Sequence, residues 1–285
     1  MIYYFSSISN KNQYNSSVFT DCDIIHLEEL KNTNEVINEL KTLCRANFSF
    51  NYFTLAVFGS IANHDSISYS DFDGILIYDE KHFHLKKHLL SLRHLISNIN
   101  RIVHLQDALQ HHGIIVIGLN ELRQSNDVVI THLLKESKVI SGKLSFEIKK
   151  NQDYNFQLNL ERLTNSISAK LNDESNWYNQ YFFKNMISEL LLYPCLYLQA
   201  THQIYISKKD SFERLVEVFT LTEIELIKKI ESIRINWEQK TLAPNKLTKH
   251  SIDQFKKNQL TEKEFIIQLK KIKSELSVLI TSKKQ

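Results

Sequence analysis

Two short segments carry residue types whose spacing suits phosphate chemistry. The first is Gly59-Ser60, which closes the apolar run through Val57-Phe58; the second, ten residues on, is Asp71-Phe72-Asp73, followed by Gly74-Ile75-Leu76-Ile77. A glycine lets the backbone approach a phosphate, a serine adds a hydroxyl donor, and a helix starting at the turn aims free amide groups at negative charge. A triphosphate tail can sit on such a turn. Two residues apart on one strand, Asp71 and Asp73 project to the same side, so their carboxylates can together hold hard cations that prefer oxygen ligands. Such a pair suits phosphoryl transfer, where Mg2+ neutralises phosphates, orients an acceptor hydroxyl and stabilises leaving pyrophosphate.

The plainer alternative is an ordinary turn and an exposed strand start, and it is weighed by the elements around the two segments. Residues 53–58 form a β-rich apolar run that stops at Gly59, the pattern of a buried strand ending in a tight turn. Residues 71–78 read as a second strand, with a helix between the two. That order, strand, turn, helix, strand, is what a nucleotide site needs. Upstream, Val36, Ile37, Leu40 and Leu43 recur at helical spacing over 34–45, with Asn32 or Thr33 as the expected cap. Downstream come an amphipathic helix over 80–103, a third strand over 113–118 and a last, edge strand over 138–142. Near residue 145 strand signals give way to helices, expected over 156–171, 177–199, 211–218, 222–237 and 261–280.

With these residues in place, the chain resembles the DNA polymerase β-type nucleotidyltransferase superfamily, whose signature is a Gly-Ser turn followed by an Asp-x-Asp strand. The resemblance covers about residues 34–143. It implies an α+β fold: a small mixed β-sheet nucleotidyltransferase domain over 1–145, then an all-α helical bundle over 146–285 that shapes the acceptor site, as in small bacterial members with a C-terminal helical domain. It also implies Gly59 and Ser60 on the triphosphate and Asp71 and Asp73 on Mg2+, with ATP as the expected donor. The implied reaction transfers a nucleoside monophosphate to a hydroxyl acceptor that the sequence does not identify.

The chain departs from that family where members carry a third carboxylate on a later strand. Here the strand reads Gln110-His111-His112-Gly113-Ile114-Ile115-Val116-Ile117, without an acid, and Asp107 precedes it. Either Asp107 reaches the metal from a loop, or His111 or His112 serves as ligand or base, since neutral imidazole accepts a proton near pH 7. Side chains alternate along a strand, so at most one of the two histidines faces the aspartates. An incomplete acid set also allows a different class of protein, a non-catalytic nucleotide-binding or toxin-antitoxin partner.

Composition narrows the remaining classes. A formal charge of +3 in 285 residues offers no broad field for long nucleic acid or anionic lipid, and the C-terminal lysines read as solvated helix faces. Cys22, Cys44 and Cys195 are odd in number and lack CxxC spacing, so they suggest neither a disulfide framework nor a zinc site, and a reducing compartment is expected. No signal peptide or membrane span is read, so the expected location is cytoplasmic. The aromatic group Trp177, Tyr178, Tyr181, Phe182 and Phe183 reads as core before it reads as a stacking platform. Likewise Lys208-Lys209-Asp210 reads as a turn before a helix, and His64-Asp65 as a surface loop.

Overall fold

The computed structural model describes residues 22–31, 34–46, 52–83, 85–110, 112–124, 128–143, 145–149, 155–238, 242 and 248–283. They form two compact units. The first draws on Met1–His64, Phe72–Ile102 and His111–Asp153; the second on Asp65–Asp71, Val103–Gln110 and Tyr154–Gln285.

The first unit contains, in chain order, β1 (Cys22–His26), β2 (Glu28–Glu29), α1 (Glu35–Ala46), β3 (Phe53–Val57), α2 (Gly59–Ala62), β4 (Gly74–Tyr78), most of α3 (Lys86–Gln106), β5 (Ile115–Gly118), α4 (Leu119–Gln124), α5 (Val128–Lys135), β6 (Lys138–Ser141) and β7 (Ser145–Lys149). Five strands form one mixed sheet in the order β2-β6-β3-β4-β5, while β1 and β7 pair separately and antiparallel. The β-branched and aliphatic run Phe53-Thr54-Leu55-Ala56-Val57 is buried throughout, which makes β3 a central strand rather than a one-sided one. One sheet face, with Ala56, Ile75, Ile77 and Ile117, packs with Leu122, Leu134 and Phe146 into a single core.

Three local expectations change. The strand expected over 71–78 begins only at Gly74, because β3 ends at Val57 and the ladder between them closes at the pair Val57 and Gly74. The stretch expected as an edge strand is interior: β6 pairs antiparallel with β3 on one side and parallel with β2 on the other. The helix expected over 34–45 is capped by Asn34, whose Oδ1 accepts from the Ile37 N–H at 2.9 Å. Asn32 and Thr33 lie outside the described residues.

The second unit is helical, built from α6 (Phe156–Asn172), α7 (Gln180–His202), α8 (Lys208–Glu213), α9 (Leu221–Ile235), α10 (Lys249–Asn258) and α11 (Lys263–Ser282). With its mixed sheet and helical unit, the chain has the α+β fold. Asn179 caps α7 by accepting from the Phe182 N–H at 2.9 Å, and the helix runs on through Pro194. Residues on almost every side of α7 are buried, as expected of a central helix. Trp177 and Phe183 are core, while Tyr178 is half exposed. Lys208, Lys209 and Asp210 lie inside α8 rather than in a turn before it, and Ser207 caps the helix. Among the described residues no helix is long and apolar enough to cross a membrane.

Candidate functional site

In the sheet unit, the end of β3 and the start of β4 lie side by side because the two strands are antiparallel. One residue beyond the last ladder pair, the Phe58 N–H donates to the Asp73 carbonyl at 2.9 Å. Gly59 then turns the chain with φ +65, a left-handed value that glycine takes without a Cβ penalty. It has a second reason to be glycine: a Cβ there would stand 2.7 Å from Asp73 Oδ2. The turn and the carboxylate therefore occupy one small space. The helix that follows, α2, has only four residues, so Ser60 sits in a single helical turn rather than at the head of a long one.

On the other side of β4, β5 runs parallel in the register Ile75 to Ile115. Extended backward, that register sets Gly113 level with Asp73 and His112 just beyond. His112 Nε2 lies 3.2 Å from Asp73 Oδ1, with about a quarter and a third of the two side chains exposed (26% and 30%). The His112 Nδ1 lies 3.3 Å from the Gly113 carbonyl, so each ring nitrogen has an acceptor beside it. Asn100 on α3 steadies the approach to β5, its Oδ1 accepting from the Ile114 N–H at 3.3 Å. His111 lies outside the described residues. His64, with φ +60, and Asp65 are exposed after α2.

Asp71 and Asp73 were expected on one strand. They precede β4, and the division between the units falls between Asp71 and Phe72, so that Asp71 belongs with the helices. There it joins Asp107, the acid that precedes the third strand. Lys184 Nζ donates to Asp71 Oδ1 at 2.8 Å and also to Asp107 Oδ2. The Lys184 side chain is wholly buried, and those of Asp107 and Asp71 are 3% and 11% exposed. Tyr69 backs the group: its hydroxyl donates to the Lys184 carbonyl at 2.7 Å and shares a hydrogen bond with Ser188 Oγ. Asp107 Oδ1 accepts from the Leu109 N–H at 2.9 Å. A second lysine, Lys256 on α10, donates to the Gln110 carbonyl and stands 4.7 Å from the Tyr181 ring centre.

Electrostatics follow from this burial. Burial opposes charge on Lys184, but the combined attraction of Asp71 and Asp107 outweighs it and holds the ammonium above its ordinary pKa. Asp107 is pushed up to about 6 by burial and by its neighbour Asp71, against the pull of Lys184. Burial lowers Lys256, with the aspartates pulling the other way. Sequence reasoning missed Lys184, Tyr69 and Lys256. Of the three, Lys184 left a signal, since a lysine between Phe183 and Met186-Ile187 on an apolar helix must find a partner. Among the described residues, no group of three or more His, Cys, Asp or Glu is arranged to hold a metal ion.

No protein-family model matches the chain, and no curated protein matches it. Among solved structures, spectinomycin adenyltransferase AAD(9) from Enterococcus faecialis, with ATP and spectinomycin, is similar at a TM-score of 0.46 and 14% identity, over 79% of this chain and 98% of that one. At that level the likeness assigns neither ligand nor activity to this chain.

Proposed function

We propose that the protein is a nucleotidyltransferase that moves a nucleoside monophosphate from ATP to a hydroxyl acceptor and releases pyrophosphate. The observation that carries this reading is the Gly59 turn, whose positive φ and missing Cβ leave room for the Asp73 carboxylate beside a backbone able to meet phosphate. Amides of Gly59 and Ser60, with the Ser60 hydroxyl, bind the triphosphate.

Asp73, whose carboxylate is about a third exposed beside Gly59, is the residue that would hold Mg2+. It fits as a hard oxygen donor, and Mg2+ at such sites takes one or two carboxylates and fills the rest of its shell with phosphate and water. When bound, it offsets the charge of the phosphates during transfer. Asp71 and Asp107 are read as partners of Lys184 rather than as metal ligands, since each already accepts from that ammonium. His112 is read as the base. As the neutral ring it takes the acceptor's hydroxyl proton on its unprotonated nitrogen, and the acceptor oxygen bonds to the α-phosphorus. The bond from that phosphorus to the bridging oxygen breaks, and pyrophosphate leaves with the electron pair.

The test is pyrophosphate release from ATP with Mg2+ in the presence of small hydroxylated compounds, tRNA ends and protein hydroxyls as acceptors. Acceptor-dependent release supports transfer. ATP binding without release under every acceptor supports the non-catalytic nucleotide-binding reading instead.

A further inference from the structure

The helical unit holds a charge arrangement that the proposed reaction does not use. Two carboxylates, Asp71 and Asp107, share one ammonium, that of Lys184, and the lysine is wholly buried. Its stem lies in α7, and its backbone carbonyl is held by the Tyr69 hydroxyl, so the Nζ is fixed from both ends of the side chain. We propose that Lys184 is the resident cation of the Asp71 and Asp107 pair, and that it keeps divalent metal off these two carboxylates in the nucleotide-free protein.

The geometry argues this directly. A metal ion bound by both oxygens would sit between them, at about 2.0–2.1 Å from each for Mg2+. That is the space the Nζ fills, within hydrogen-bond distance of both Asp71 Oδ1 and Asp107 Oδ2. To admit the metal, the protein would have to strand a buried ammonium away from both partners. Uncompensated buried charge is among the costliest arrangements in a protein. Mg2+ must also shed tightly held water, so it competes poorly for a site already neutralised. Lys256 adds a second positive charge that acts on the same aspartates. Lys184 is thus a positioning residue: it sets what the aspartates can bind, and the inference stands whether or not the protein transfers nucleotides.

The experiment is Mn2+ binding to the full chain without nucleotide, read by electron paramagnetic resonance of free Mn2+ and by isothermal titration. Wild type is expected to show no saturable site below about millimolar Mn2+. Lys184→Gln is expected to gain one site at least tenfold tighter, and Lys184→Gln with Asp71→Asn to lose it. Lys184→Met, which keeps the apolar stem, is the second variant where the amide is not tolerated. A purely structural lysine would change stability without creating a metal site. Saturable binding by wild type that Asp107→Asn removes overturns the proposal, as does a folded Lys184 variant that gains no Mn2+.

Discussion

Asp73 Oδ2 occupies the position beside Gly59 where any other residue would carry its Cβ, 2.7 Å away from that ideal atom. Gly59→Ala therefore imposes two costs together. A left-handed alanine costs about 1–2 kcal/mol, and the added methyl pushes the Asp73 carboxylate out of place. A melting temperature lower by a few degrees is expected, with ATP affinity weaker by at least tenfold in titration calorimetry. An alanine variant with wild-type affinity would remove the turn from the site.

Asp73 itself is about one-third exposed, so its loss opens no cavity. Asp73→Ala is expected to leave stability within about 0.5 kcal/mol of wild type while acceptor-dependent pyrophosphate release falls by two orders of magnitude or more. Thermal melts and a release assay on the same preparation separate the two. Full release by this variant, or undiminished release in EDTA, excludes a metal-assisted reaction on these residues.

What the sequence made legible here is what depends on local order. Gly59 and Asp73 follow from a strand that stops and another that starts, and antiparallel pairing of β3 with β4 brings those ends together. The interior place of β6 was not legible, because it depends on β2, only two residues long and more than a hundred residues upstream. Nor was the parting of Asp71 from Asp73. Alternation along a strand places both on one side, but the ladder closes at Gly74, and Asp71 is claimed by a lysine 113 residues away. Long-range ion pairs leave no periodicity in a sequence; the one clue was a charged side chain inside an apolar helical stretch.

His112 contacts Asp73 through Nε2, and its Nδ1 lies 3.3 Å from the Gly113 carbonyl. If the ring acts as base, His112→Ala should lower kcat by about 10²- to 10⁴-fold with ATP affinity nearly unchanged, and the acid limb of the pH–rate profile should disappear. If it serves only to orient Asp73, His112→Gln should restore most of the rate by keeping a donor near that carboxylate. A wild-type rate in both variants leaves this segment without a part in the reaction.

The last prediction concerns stability, and it separates the charge of Lys184 from its volume. Removing the lysine leaves Asp71 and Asp107 facing each other with no shared cation, and breaking a buried pair in this way costs about 3–5 kcal/mol. Lys184→Ala should therefore shift the urea midpoint strongly downward. Lys184→Met should cost less, because the stem still fills its place in α7, and the difference between the two measures packing. The decisive variant adds Asp107→Asn to Lys184→Met. If the loss comes from uncompensated charge, the double variant recovers at least about 1 kcal/mol, since one of the stranded carboxylates is gone and its amide can still accept from the Leu109 N–H. If the loss is only packing, Asp107→Asn adds to the damage, and the two substitutions combine without relief.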